Sequence, residues 1–284
     1  MKNTLDLIRL THWIKNFIII IPFVFAKKAF ILGDIKLLCY LFISLCIASS
    51  TVYIFNDLID FNLDKQDNFK KNRPIASGKI TKNQALILDF ILLGLLSIFL
   101  FFLNNIILFY GIIIYLILNI FYSIYFKKVF LLDVLILSSF YTIKLTITIL
   151  YFQLDFSYWL ISIFFLGIVM VSFSKKYLDI NNNLNNPNFK IHYNKKFLEK
   201  IIKTLSILIV ILYTTFTFQS ETVEKFSIYF LFTNLMIIYG IYRYIFCVIS
   251  AKFSDPISIF TKDLNLIFNA SIFSFFSILL IYLN

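Results

Sequence analysis

Runs of about twenty apolar residues recur along this chain, and they constrain its fold more than any other feature. A helix rises about 1.5 Å per residue, so one run of that length crosses the hydrocarbon core of a bilayer. Such runs lie at about 15–32, 35–56, 84–103, 106–126, 131–151, 157–174, 198–219, 226–249 and 264–283. The first is the least regular, because Pro22 interrupts it and Lys27-Lys28 cut it short. Only 14% of the residues are charged, against about 25% in soluble domains, and a water-soluble core has no room for 36 Phe. The reading is an all-α integral membrane protein in which a single domain, residues 1–284, carries nine transmembrane helices.

The remaining charges orient the chain. With the N-terminus inside, the outer loops hold only Lys27, Lys28, Lys36 and Lys225, and Lys144 lies within a span; every other Lys and Arg falls on the inner side. Basic loops face the cytoplasm, so the N-terminus is expected there, in a bacterial plasma (inner) membrane. The net charge of +11 then marks topology and gives no reason to invoke nucleic acid. No small-residue cleavage site follows the first run, so it is expected to be retained. Cys39, Cys46 and Cys247 sit in apolar runs without metal-ligand spacing and read as small buried side chains. Two His, His12 and His192, are too few for a histidine metal site.

Two polar loops stand out, at about 57–83 and 175–197. They follow spans two and six, which puts them on one side of the membrane and hints at an internal repeat. The second contains Asn181-Asn182-Asn183-Leu184-Asn185-Asn186-Pro187, a solvated stretch. The first gathers Asp57, Asp60, Asp64 and Asp67, four of the chain's 15 acids, and then Lys70, Lys71 and Arg73. At helical spacing Asn56, Asp57, Asp60 and Asp64 share a face, which predicts a stripe of carboxylates about 10 Å long at the end of span two. Crowded carboxylates repel unless a cation lies between them, and all-oxygen ligation suits Mg²⁺, which completes its shell with water and phosphate oxygens. Arg73 is one of three Arg in a Lys-rich chain, and a guanidinium grips phosphate bidentately. Pro74 fixes the exit of the chain, and Ser77-Gly78 offer backbone N–H groups to an anion.

Asn56-Asp57-x-x-Asp60-x-x-x-Asp64, followed by Lys70-x-x-Arg73-Pro74-Ile75-Ala76-Ser77-Gly78, resembles the first signature of the UbiA family of intramembrane prenyltransferases. The resemblance implies a nine-helix bundle around a central cavity, with two acid-rich loops that bind Mg²⁺ and diphosphate. Asp57, Asp60 and Asp64 would be the metal-binding, catalytic carboxylates. Relatives often carry His-Pro where this chain has Asp67-Asn68, so the role of Asp67 stays open.

Classical members carry a second Asp-x-x-x-Asp motif after span six. Here the stretch reads Ser174-Lys175-Lys176-Tyr177-Leu178-Asp179, and one carboxylate position holds a base. Arg9-Leu10-Thr11-His12-Trp13-Ile14-Lys15-Asn16 is similar to the N-terminal segment of the polyprenyl-phosphate (decaprenyl-phosphate) phosphoribosyltransferase branch. Tyr122-Ser123 through Lys127-Lys128, then Leu132-Asp133-Val134-Leu135, Tyr141 and Lys144, resemble its fourth loop and fifth helix, although that branch usually has Arg where Lys144 stands. Ser174-Lys175-Lys176 with Asp179 resembles its Lys-Arg-x-x-Glu version of the second motif, and Arg243-Tyr244 and Asp255-Pro256 through Lys262-Asp263 fit as well. The branch implies transfer of a phosphoribosyl group from 5-phosphoribosyl 1-diphosphate to a long-chain polyprenyl phosphate, with Mg²⁺-assisted loss of diphosphate. Lys15, Asn16, Asn56, Lys70, Arg73, Tyr141, Lys144, Lys175, Lys176 and Asp179 are the candidate substrate contacts. No general base is required, since the acceptor is already an anion.

Some residues carry two readings. Lys144 lies about 16 Å along its helix from Asp133, where a charge faces protein or water rather than lipid; it is either a phosphate contact or a polar contact with a neighbouring helix. Lys15 and Asn16 are either substrate contacts or an interfacial anchor beside Trp13. The rival enzyme is a prenyltransferase that moves a prenyl group to an aromatic or small polar acceptor, against which Lys175 stands. The rival without catalysis is a transporter of a phosphorylated metabolite or lipid; scarce Gly and charges concentrated at one membrane face oppose it.

Overall fold

A computed structural model of the chain describes residues 2–28, 31–67, 70–155, 158–181 and 193–283. Among the described residues there is no strand, and nine helical stretches are long and apolar enough to cross a bilayer. The protein is an all-helical, multi-pass membrane protein, as its periodic apolar runs require. Clustering of contacts divides it into two compact units, Met1–Phe156 and Ser157–Asn284.

The first unit opens with α1 (Lys2–Ile8), a 3-10 stretch over Leu10–Ile19, and α2 (Ile20–Phe25). Together they form a span from Asn3 to Phe25, well before the expected 15–32. The polar residues that masked this start in the sequence find partners inside the unit. Arg9 bonds Asp57 and Trp13 bonds Ser50. Arg9 itself adopts left-handed backbone, φ 56°, between α1 and the 3-10 stretch; for a residue with a Cβ this costs on the order of 1 kcal/mol. The tight winding before Pro22 accords with a ring that lacks an N–H and crowds the preceding turn.

Helix α3 (Leu32–Ile59) is the core of this unit. Its inner face buries Leu41, Leu45, Ala48 and Ile54 against α1, the 3-10 stretch, α5 (Lys82–Leu103) and α6 (Ile106–Ile124). It stops at Asp60 and a short α4 (Phe61–Gln66) follows, so the expected stripe of carboxylates breaks at its middle member. The loop from Arg73 to Ile80 is tied down by its apolar residues. Ile75 and Ile80 enter the hydrophobic core, and Gly78 takes φ 75°, a conformation that favours glycine. Ser77 N–H donates to the Arg73 carbonyl at 2.8 Å, and Ile80 N–H to that of Pro74 at 3.0 Å.

Local chemistry sets the next boundaries. Thr81 and Gln84 form a capping box at the start of α5. Asn104, at φ 43°, ends α5, and the side chain of Asn105 accepts from Leu108 N–H to start α6. Leu92, Leu96 and Leu100 repeat every four residues on the buried side of α5, while Phe101 and Phe102 are 80% exposed. In water such a face is a liability; beside acyl chains it is matched to its surroundings. Helix α7 (Leu132–Tyr151) closes the unit against α6 and the N-terminal segments.

The second unit contains α8 (Tyr158–Asn181), α9 (Lys195–Phe218), α10 (Ser220–Phe226), α11 (Thr233–Ile249), α12 (Pro256–Lys262) and α13 (Leu264–Leu283). Helix α8 packs along α9, α9 on α11, and α11 on α13. It outruns its apolar stretch by two turns: Lys175 to Asn181, expected in a loop, are helical. Tyr177 and Leu178 are buried there, so packing prolongs the helix after hydropathy has fallen. The rest of the Asn-rich stretch and His192 lie outside the described residues. Of the three cysteines, Cys46 and Cys247 are buried as expected, but Cys39, near the start of α3, is exposed.

Candidate functional site

The acids of the first polar loop stand among cations. Asp57, in the last turn of α3, is 2% exposed. Its Oδ1 accepts from Arg9 Nη2 at 2.5 Å and from Arg73 Nη1 at 3.0 Å. The same Arg73 Nη1 donates to Asp64 Oδ2 at 2.7 Å, so one guanidinium bridges the ends of α3 and α4. Asp60, between the two, turns away to pair with Lys127, which follows α6. The break at Asp60 thus has a tertiary cause: two acids are drawn to Arg73 and the third to a lysine 67 positions on.

Burial pushes the Asp64 carboxyl above its ordinary value, and the Arg73 charge and hydrogen bond oppose that shift. The other oxygen of Asp57, Oδ2, is buried with no hydrogen-bond partner among the described residues. Leaving a buried carboxylate oxygen unsatisfied is costly. Arg9, Asp57 and Arg73 line a cleft of about 490 Å³ together with Leu5, Asp6, His12 and Pro74.

Other candidates of this loop lie nearby. Asp67, left open by the sequence, accepts from Lys70 N–H at 3.0 Å and pairs with the Lys70 ammonium at 3.8 Å, which caps the turn over Lys70–Asn72. Asn56 is half-buried one position before Asp57.

A second polar cluster lies within the spans of the same unit. Lys144 Nζ donates to Asn16 Oδ1 at 2.6 Å and to Ser49 Oγ at 3.1 Å, and it stands 4.9 Å from the Tyr115 ring centroid. Asn16 Nδ2 donates to Cys46 Sγ at 3.1 Å. Lys144 thus makes the polar contact with neighbouring helices that one of its two readings describes. Asn16 is buried and half-buried Lys15 is its neighbour; Trp13 donates to Ser50 at 3.0 Å, so this segment packs against α3 and does more than anchor at an interface. Tyr141 lies one turn before Lys144, with its ring 5.9 Å from Nζ.

In the second unit, Lys175 is exposed and Lys176 is buried, with Nζ 4.7 Å from the Tyr193 ring centroid. Asp179 is half-buried one turn on. Arg243 forks onto both oxygens of Asp263 at 3.1 and 2.9 Å. All three arginines of the chain therefore hold buried carboxylates. Rarity had singled out Arg73 in the sequence; the same signal marks Arg9, whose pairing with Asp57 was not foreseen. No such signal marked Lys127.

Among the described residues no three acidic, cysteine or histidine side chains form a ready-made metal cluster. The donor set still fits a hard divalent cation: carboxylates alone, one buried oxygen without a partner, and an adjoining cleft.

Several known proteins resemble the chain. Two solved structures share its fold over nearly its whole length. One is a UbiA homologue from Archaeoglobus fulgidus bound to GPP and Mg²⁺, with a TM-score of 0.70, 17% identity, and coverage of 98% of this chain and 99% of that one. The other is a digeranylgeranylglyceryl phosphate synthase, with a TM-score of 0.62, 20% identity, and coverage of 99% and 98%. At these identities the likeness is one of fold. An uncharacterised protein, y4nM, from Sinorhizobium fredii is 26% identical over 180 residues, 63% of this chain and 34% of its own length. The nodulation protein NoeC from Azorhizobium caulinodans is 33% identical over 70 residues, 25% of this chain and 22% of its own. The chain thus spans about a third or less of the curated relatives it matches. The family model described as the UbiA prenyltransferase family matches residues 17–261. With that match over most of its length, the chain belongs to the UbiA prenyltransferase family.

Proposed function

We propose that this UbiA-family transferase moves the 5-phosphoribosyl group of 5-phosphoribosyl 1-diphosphate onto a long-chain polyprenyl phosphate and releases diphosphate. The observation that carries the reading is the basic character of the second motif. Lys175 and Lys176 stand in the last turns of α8 with Asp179 as the one acid, where an Asp pair would mark a prenyl diphosphate site rich in metal. Lysines at a helix C-terminus also complement the helix dipole, but that effect does not call for burying one of them.

In this reading Asp57 and Asp64, with Asp60 once it leaves Lys127, would hold Mg²⁺, which would supply positive charge to the departing diphosphate. Arg73 and Lys70 would take diphosphate oxygens through charge-assisted hydrogen bonds, with Asn56 as a further substrate contact. An oxygen of the lipid phosphate attacks the anomeric carbon as the bond to diphosphate breaks, and no proton needs to be removed. Lys175 and Lys176 are suited to a phosphate group in the second unit. Lys15, Asn16, Tyr141 and Lys144 are further substrate contacts in this reading, and Asn16 and Lys144 reach a substrate only if their present hydrogen bonds exchange. The single-domain enzyme sits in a bacterial plasma membrane with its polar loops toward the cytoplasm.

The second reading is a prenyltransferase with an aromatic or small polar acceptor. Structural neighbours bound to GPP or DMAPP with Mg²⁺ support it. A donor test separates the two. Purified protein in detergent receives Mg²⁺ and polyprenyl phosphate with labelled 5-phosphoribosyl 1-diphosphate, or a labelled prenyl diphosphate with an aromatic acceptor. Label passing from the ribosyl donor into a lipid extract is the expected result. Label passing only from the prenyl donor overturns it in favour of the second reading.

A further inference from the structure

The four charges of this ion-pair network cancel among themselves, and Asp6 also lines the cleft. Asp57 and Asp64 are matched by Arg9 and Arg73, and three hydrogen bonds join them within 2.5 to 3.0 Å. A divalent cation that entered alone would bring its charge beside two guanidiniums already seated on the carboxylates it needs. The Coulomb cost of that approach is large at such short range in a partly buried site. A diphosphate carries more negative charge than one divalent ion cancels. Its arrival with the metal gives the guanidiniums a new partner and releases the carboxylates to the cation.

The side chains are built for such an exchange. Arg9 and Arg73 are partly exposed, and both line the cleft. Arg9 also stands over the Tyr53 ring, 4.9 Å from its centroid. That contact keeps its charge at the cleft when Asp57 is no longer its partner. Asp57 Oδ2 is buried and without a partner while both guanidiniums are on Oδ1, so a cation that reaches it meets a carboxylate oxygen with no hydrogen bond to give up.

We infer that Arg9 and Arg73 act as internal counter-cations of the acid site, so that a divalent metal and a diphosphate bind cooperatively and the metal alone binds weakly. The inference rests on the reading that this cleft binds metal and diphosphate, and it assigns Arg9 a diphosphate contact in the bound form. By linkage the coupling is reciprocal: the metal strengthens diphosphate binding by the same factor.

Equilibrium dialysis of Mn²⁺ against the full chain in detergent tests this, with and without methylenediphosphonate as a non-hydrolysable diphosphate. Asp57→Asn protein serves as the blank for chelation in solution. We expect the wild type to retain Mn²⁺ at least about tenfold more tightly when the anion is present, within the usual range of coupling between sites. Arg9→Gln should bind Mn²⁺ alone several-fold more tightly than the wild type and show a smaller gain from the anion. If Arg9→Gln does not fold, Arg9→Lys replaces it with the same direction of change, since a point charge holds Asp57 less well than a planar fork. Equal Mn²⁺ affinity with and without anion overturns the inference and leaves the metal site standing. Retention identical in wild type and Asp57→Asn overturns the metal site and the inference together. Neither result bears on whether the donor is ribosyl or prenyl, since the probe is neither.

Discussion

Lys144 Nζ donates to the amide oxygen of Asn16 over 2.6 Å, and so joins α7 to the 3-10 stretch of the first span across 128 positions of sequence. Around this bond every partner is neutral: Ser49 Oγ at 3.1 Å, the Tyr115 ring, and, through Asn16, Cys46. Intramembrane charges are tolerated when they face protein in this way. The contact fixes how the irregular N-terminal segment lies on α3 and α7. That same segment carries Arg9 to Asp57, so packing deep in the unit positions a charge at the cleft.

The two ends of this bond should not be equivalent to mutation. Asn16→Leu strands an ammonium with a hydroxyl and a ring as its neighbours, and should cost about 3 kcal/mol, as for removal of one partner from a buried charge. Lys144→Met strands only a neutral amide oxygen and should cost about 1 kcal/mol. The double variant should be less unstable than Asn16→Leu alone. Unfolding in mixed detergent micelles measures all three. Equal costs for the single variants, with simple additivity, would remove Lys144 from its role as the charged centre of the cluster.

At the cleft, Asp57→Asn keeps the shape of the side chain and removes the charge that Arg9 and Arg73 share. Turnover by the purified protein should fall at least about 100-fold, as when an electrostatic contact to the developing charge is lost. Asp60→Asn and Arg73→Ala should do the same, with melting temperatures showing folded protein. Near-normal activity in any two of the three sinks the assignment of metal and phosphate to this loop.

The contrast between what was legible and what was not follows the range of the forces involved. Apolar runs are local, and the nine spans could be read because a bilayer sorts residues by hydropathy. The grouping of Asp57, Asp64 and Arg73 was legible because all three lie close together in sequence, whereas the bonds from Arg73 to both carboxylates were not. The start of the first span was not, since Arg9 and Asn16 look like interruptions until their partners on α3 and α7 are known. The kink at Asp60 was equally hidden: an i, i+4 pattern continues on paper, and only Lys127 and Arg73, pulling in different directions, break it. The extra turns of α8 arise from Tyr177 and Leu178 packing inward, which hydropathy does not record.

Close packing between α6 and α7 yields a test that involves no charge. A Cβ placed on Gly111 would lie 2.7 Å from Ile147 Cγ1 and 3.0 Å from its Cδ1. Gly111→Ala must then shift Ile147 or part the helices, at a cost of about 1–3 kcal/mol. Gly94→Ala on α5 meets nothing within 4 Å and should be neutral or stabilising by up to about 1 kcal/mol through helix propensity. Gly111→Ala and Ile147→Ala together should cost less than the sum of the two single changes, since the two sites are in contact and couple. Thermal melts that rank the two glycine variants equally would contradict this packing.

In the second unit, Arg243 and Asp263 supply a pH dependence whose sign can be worked out. Hydrogen bonds from the Arg243 guanidinium, aided by Leu266 N–H at 3.0 Å, hold the Asp263 carboxyl down to about 2 against burial, which opposes them. The ordinary value is 3.8. Between those values the unfolded chain binds a proton that the folded chain does not, so stability rises with pH across the interval. The contribution is complete above the ordinary value and is lost as pH falls through about 2. Asp263→Asn lacks it at every pH. The gap in melting temperature between wild type and Asp263→Asn in detergent should therefore stay constant from neutral pH down to about 5, narrow below about 4, and close toward 2. A gap that persists unchanged through that window would show that ionisation of Asp263 does not set its contribution to stability.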